Sequence, residues 1–156
     1  MPQGLLSNSK ITVVHAGDTA LAATDIDCTS LVDMSGYENV FFITSVVEST
    51  AGGTTGTVLM VPRHASVNTS TTGITDLAST AQAGTTALTT SMWGEAVAVD
   101  VVRPTKRYMT VSLNKTGANT VQLGPCIAIA YNNAKGPVSQ STSETIQTKT
   151  LISPTT

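Results

Sequence analysis

The chain has 156 residues, enough for one hydrophobic core, and its net charge of −2 with a pI near 5.5 provides no field that would gather a polyanion. Charged residues make up 12% of the sequence, against about a quarter in ordinary domains, while Thr and Ser together fill roughly a quarter of it. Thr and Val stand where Leu, Glu and Lys would fill a helical protein. Because β-branched side chains lose less freedom on a pleated surface than on a helix, the composition predicts an all-β chain.

The two cysteines, Cys28 and Cys126, have neither zinc-site nor CxxC spacing and are expected to be buried, reduced thiols. The opening "MPQGLLSNSK" lacks the apolar run of a signal peptide, and no stretch approaches the ~20 apolar residues of a membrane span. The expectation is a protein made and kept in a cytoplasm, with no membrane partner.

In chain order, the first element is "ITVV", Ile11 to Val14, closed by Gly17-Asp18. "TALAATDIDCTS" alternates through Ile26 and Cys28 with Asp25 and Asp27 on the opposite face, which predicts a second strand. After the Ser35-Gly36 turn, Val40 to Val47 is apolar on both faces, as a strand covered on both sides would be. One cover is the domain's own second sheet and the other is expected to be a neighbouring subunit. "AGGTTG" reads as a hairpin loop before a strand from Thr57 to Val61, and Pro62 would interrupt a central ladder unless it sits at an edge or bulge. From Ser70 to Thr90 a small, polar surface excursion is expected, in which "ITDLASTAQA" offers a short helical turn capped by Thr75.

Three further strands are predicted at Ala96 to Val102, Arg107 to Asn114 and Cys126 to Tyr131, the last two joined by the turn-rich "KTGANTVQLGP". Met109, Val111 and Leu113 share one face, and Tyr108, Thr110 and Ser112 the other. Ile127, Ile129 and Tyr131 make a bulky face, whereas Cys126, Ala128 and Ala130 make a flat one that would allow close packing. Beyond Gly136-Pro137 only Ile146, Leu151 and Ile152 interrupt a run of hydroxyls and amides, so 136–156 is expected to be an extended C-terminal arm. Residues 1–10 form an N-terminal arm, and 11–135 a two-sheet antiparallel sandwich of jelly-roll type.

Catalysis finds no support in the residues. His15 and His64 have no motif around them, Ser66 stands in no nucleophile elbow, and "DID" at Asp25 to Asp27 lacks the glycine and terminal glutamate of a calcium loop. The glycines of "AGGTTG" lack the lysine and helix of a phosphate loop. No enzyme activity, metal or cofactor is expected.

The densest positive cluster is "RPTKRY", with Arg103, Lys106 and Arg107 followed by Tyr108. A nucleic-acid grip would need further basic residues and exposed aromatics, and aromatics are 4% of the chain. Arg107 has the parity of Met109 and Val111, which places its stem over the rim of the apolar layer and its guanidinium near a carboxylate or carbonyl oxygens. Structural anchoring at a subunit or partner interface is the better reading, with no nucleic-acid partner.

The segments "DMSGYENVFFI", "DVVRPTKRYMTVSL" and "IAIAYNNAKGPV", in this order, resemble the small capsid decoration, or cement, proteins of tailed bacteriophages. In that family a "GY..V.F" strand precedes an "RP.KRY" strand and a final strand ending in a "K.P" turn. The likeness runs from about Asp33 to Val138, with little contribution between Val61 and Glu95. It implies a β-sandwich that trimerises on the outside of an icosahedral shell and staples neighbouring major capsid subunits, with the termini as arms. The expected interface residues are Phe41, Ile43, Arg103, Lys106, Arg107, Tyr108, Ala128 and Ala130, with Ile146, Leu151 and Ile152 as anchors of the arm. The alternative is a phage tail or host-receptor module, or a carbohydrate-binding sandwich. The former more often carries repeats or a fibre-forming heptad, and the latter wants exposed aromatic platforms, whereas Trp93 is the only tryptophan and is expected to plug one end of the sandwich.

Overall fold

In the computed structural model, residues 8–18, 25–50, 57–69, 73–77, 83–84, 94–116 and 120–133 are described. The strands are β1 (Lys10–His15), β2 (Ile26–Asp27), β3 (Val32–Asp33), β4 (Tyr37–Thr50), β5 (Thr57–Ala65), β6 (Thr75–Asp76), β7 (Ala83–Gly84), β8 (Ala96–Val102), β9 (Tyr108–Thr116), β10 (Thr120–Leu123) and β11 (Cys126–Asn133). The C-terminal arm with its anchors Ile146, Leu151 and Ile152, Trp93, and residues 1–7 of the expected N-terminal arm lie outside the described residues, whereas the end of that arm belongs to the sandwich, with Ser9 buried and Lys10 opening β1.

Two antiparallel sheets share these strands. In the first, β11 lies between β1 and β4, β8 pairs with the far edge of β4, and β10 continues the line of β11 along β4. In the second, β9 lies between β5 and the pair β2 and β3, while β6 and β7 pair with the outer edge of β5. Taking β2 with β3, β6 with β7 and β10 with β11 as single broken strands leaves eight. The chain passes between the sheets in the order first, second, first, second, second, first, second, first. The two-sheet antiparallel sandwich is as expected, and this alternation is that of a jelly roll.

The breaks have local causes. Gln122 pairs with Glu48, the register shifts so that Leu123 pairs with Val46, and Ile127 pairs with Ile43, so β10 and β11 run on along β4 through an irregularity at Gly124-Pro125. A Cβ on Gly124 would lie 2.6 Å from Ser45 Oγ and 3.2 Å from Val47 Cγ2, so only glycine permits this approach. The carbonyl freed at Gly124 accepts from Thr44 Oγ1 at 3.0 Å. The break between β2 and β3 is closed the same way, the Cys28 carbonyl accepting from Thr110 Oγ1 at 2.8 Å. Each buried threonine thus satisfies a backbone acceptor that a broken ladder would leave bare, a group costing about 1–3 kcal/mol if unpaired.

The core forms between the sheets. Val40, Phe42 and Val46 of β4, Val97 and Val101 of β8 and Val14 of β1 meet Val58 and Met60 of β5, Met109, Val111 and Leu113 of β9, and Val32. The flat face of β11 belongs here as well: Cys126, Ala128 and Ala130 are fully buried. This corrects the expectation that Ala128 and Ala130 form an interface. Their small side chains face the opposing methionines and leucine of this chain's own second sheet, where bulk would overfill the layer.

Other expectations change in detail. Thr75 caps no helix; it pairs with His64 as part of β6, a position that suits a β-branched residue beside the strand Arg63 extends. "TVQL" is not turn but β10, because Val121 and Leu123 alternate into the core. Pro62 lies within β5, yet its carbonyl accepts from Leu77 N on the outer edge at 2.9 Å. The side of Pro62 that lacks an N–H therefore faces the outer edge beside Leu77, at the end of the short β6 pairing, and the central ladder between β5 and β9 loses no donor. Cys28 and Cys126 are free and buried, and burial pushes both thiols up to about 12, so they are inert at neutral pH.

Candidate interaction surface

At one end of the sandwich the three segments quoted above come together. Asn39 of β4 stands between Val102 of β8 and Tyr131 of β11, and the turn before β4 meets the loop before β9. Glu38 is the hub: its carbonyl accepts from Arg103 N at 2.8 Å, and its carboxylate accepts from Asn132 Nδ2 at 2.6 Å. Arg103 and Asn132 both have positive φ, 51° and 63° respectively, a conformation rare for residues with side chains and here fixed by these bonds.

Arg107 grips Asp33 with both forks, Nε to Oδ1 at 2.9 Å and Nη2 to Oδ2 at 2.7 Å, while its guanidinium lies 5.2 Å from the Tyr108 ring. The carboxylate partner predicted for Arg107 is therefore present. The stem is not buried over the core rim, because 56% of the side chain is exposed. Asp33 is held below the usual carboxylate range chiefly by the Arg107 hydrogen bond, against partial burial and with help from Ser35 N–H. Lys106 Nζ donates to Thr75 Oγ1 at 3.2 Å. Arg103, Lys106 and Arg107 line an open cleft of about 400 Å³ with Met34, Tyr37 and Glu38. Among the described residues, neither Arg103 nor Lys106 forms an ion pair, so two cations of the cluster stay available to a partner.

The two outer faces differ in kind. On the first sheet, Ile11, Ile129 and Phe41 stand side by side in one row, and Val13, Ile127 and Ile43 in the next. They alternate with the buried positions of their strands and so point outward. Val13, Val47 and Val102 are 41%, 48% and 63% exposed. Beside the first row Tyr131 donates to the Asp100 carboxylate, and that bond is the main reason its phenol is pushed up to about 12. The second sheet's outer face is polar. Arg63 lies 2.8 Å from Asp27 and 2.9 Å from Asp76, and Ser112 Oγ donates to Asp27.

Of the predicted interface residues, Phe41 and Ile43 lie on the apolar outer face, Arg103, Lys106, Arg107 and Tyr108 gather at the loop end, and Ala128 and Ala130 face inward. The sequence reading passed over Ile11, Val13, Ile127 and Ile129. The parity of β11 grouped Ile127 with Ile129, and the burial of Ala128 and Ala130 then turns that pair outward.

The histidines form no catalytic arrangement. His15 Nε2 lies 3.3 Å from Asp18 Oδ1, and burial with the nearby Lys106 charge keeps the His64 imidazole below its usual pKa. No group of three or more His, Cys, Asp or Glu suited to a metal ion occurs among the described residues. No protein-family model and no curated protein matches the chain.

Proposed function

We propose that this protein is a capsid decoration protein of a tailed bacteriophage, a homotrimer that binds the outside of the shell and staples neighbouring major capsid subunits. The observation that carries the reading is the convergence at the loop end. Segments separated by up to about a hundred residues in sequence, and resembling that family in order, make one hydrogen-bonded surface around Glu38, Asp33 and Arg107. A surface fixed by two positive-φ residues and presenting Arg103 and Lys106 suits recognition of a partner rather than chemistry on a small molecule.

In this reading the protein is synthesised in the host cytoplasm and resides on the virion surface. It is not an enzyme, takes no cofactor, and contacts neither nucleic acid nor membrane. The test is electron microscopy of particles assembled with and without the protein, paired with their resistance to heat. Added density at threefold positions and greater heat resistance are expected; particles that neither bind the protein nor gain from it would overturn the reading.

A further inference from the structure

We infer that the outer face of the first sheet is a self-interface, covered in solution by another copy of this chain. The inference deepens the reading above by assigning the face that holds the oligomer together, and rests on that reading for nothing but the expected trimeric order.

The face is made by four strands, β1, β11, β4 and β8. At about 4.8 Å between strands and 3.3 Å per residue, four strands seven residues long cover roughly 440 Å² in projection. Side-chain relief makes the accessible area larger. That brings it toward the ~800 Å² per partner of a stable interface. The opposite face of the sandwich carries Arg63 in ion pairs with the exposed carboxylates Asp27 and Asp76, which is the pattern of a face left in water.

The chemistry favours a second copy as occupant. In the two central rows Ile11, Ile129, Phe41, Val13, Ile127 and Ile43 carry no charge. The carboxylate at the margin, Asp100, already accepts from Tyr131. An acidic or basic partner would find nothing to pair with here. A like surface does fit: β11 and β4 are antiparallel, so the local dyad between them exchanges Ile127 with Phe41 and Ile129 with Ile43, placing similar bulk on either side. Such a patch can meet itself or its neighbour's flank without a charge mismatch, as symmetric assemblies require. The two alanine positions of β11 lie behind it in the core and leave this face as the strand's bulky side.

The experiment uses the full chain. Mass is measured by sedimentation equilibrium from about 1 to 100 µM, the range in which micromolar association shows, for the unaltered protein, for Ile129→Asp and for Asp76→Asn on the polar face. The unaltered protein and Asp76→Asn should be multimeric at the upper end, and Ile129→Asp should fall to the 16.0 kDa monomer with its β-sheet circular dichroism retained. Because Ile129→Asp could fail to fold, a second variant, Ile43→Cys, is labelled with a maleimide. Its rate should drop about tenfold as concentration rises and mass action fills the interface, while Cys28 and Cys126 stay unreactive. A monomer at every concentration would overturn the inference, as would an Ile43→Cys rate that ignores concentration. Protection of Ile43→Cys in a species shown to be monomeric would also overturn it, by showing that the chain covers its own face. Particle binding separates the two proposals: a multimer of this kind that never decorates shells would defeat the cement reading alone, and a monomer that decorates them would defeat this one alone.

Discussion

The ammonium of Lys115 sits 2.7 Å from the carboxylate of Asp18, with 2% and 10% of the two side chains exposed. Lys115 Nζ also donates to the Val121 carbonyl, and Asp18 accepts from Leu123 N. This buried node ties β9 to the loop after β1 and to β10. Burial alone would raise the Asp18 pKa, but the bonds from Lys115 and Leu123 outweigh it and hold the group below its ordinary value of 3.8. A carboxyl with a depressed folded-state pKa contributes stability above its unfolded pKa and loses it as pH falls through the folded value. Thermal melts should therefore be level down to about pH 4 and fall below it. Asp18→Asn should cost about 3–5 kcal/mol at neutral pH by removing the carboxylate of a buried ion pair, and should flatten the acid limb. A variant that melts like the parent at pH 7 would contradict the buried role.

Arg107→Ala should be far milder. The sequence suggested a buried rim, but with 56% and 38% of the Arg107 and Asp33 side chains exposed the pair is screened by solvent and adds little to stability. The expected result is a small change in melting together with reduced occupancy on particles, measured by quantitative gel of purified shells. Arg107→Lys should keep the charge but lose the two-pronged grip, and so restore binding only in part.

Gly124→Ala tests the break in the last strand. Its new Cβ would press on Ser45 Oγ, and an overpacked site of this kind costs about 1–3 kcal/mol in denaturant melts. Ser45→Ala removes that oxygen and should recover part of the loss in the double variant, a coupling the single changes cannot produce. Additive effects would show that the clash is not the cause.

Deleting Val138 to Thr156 tests the proposed arm. If the arm acts as a tether, its contact becomes intramolecular once the sandwich docks, with an effective concentration that reaches about millimolar. Weaker shell binding with an unchanged melt of the sandwich is expected. Full occupancy and undiminished protection of the shell would remove the arm from the mechanism.

The sheet composition and the main strands were legible because side-chain alternation is a local signal: Met109, Val111 and Leu113 mark one face of β9 wherever its partner lies. The direction of β11 was not legible in the same way. Alternation separates alanines from isoleucines but does not say which set faces inward, and the answer came from the volume of Met60, Met109 and Leu113 across the layer. The bond between Asp18 and Lys115 spans 97 positions and leaves no periodic trace. Two-residue strands such as β3 and β6 are too short to show a period, and only the long neighbours they pair with define them. At the loop end, the Arg107 partner was foreseen as a carboxylate, while its identity as Asp33 depended on the pairing of β3 with β9.

The position of β11 also sets a timetable for synthesis. Among the described strands β1 pairs with β11 alone, and β11 fills the place between β1 and β4. A nascent chain that has emerged only as far as β9 therefore holds β1 without a neighbour and β4 with one bare edge, a state prone to join other chains. The first sheet can close only after β11 has left the ribosome, so its closure is late and slow, as pairings so distant in sequence demand. Ribosome-bound chains stalled before Cys126 should be protease-sensitive and retained by chaperones, and emergence of β11 should be followed by a single late gain of protection.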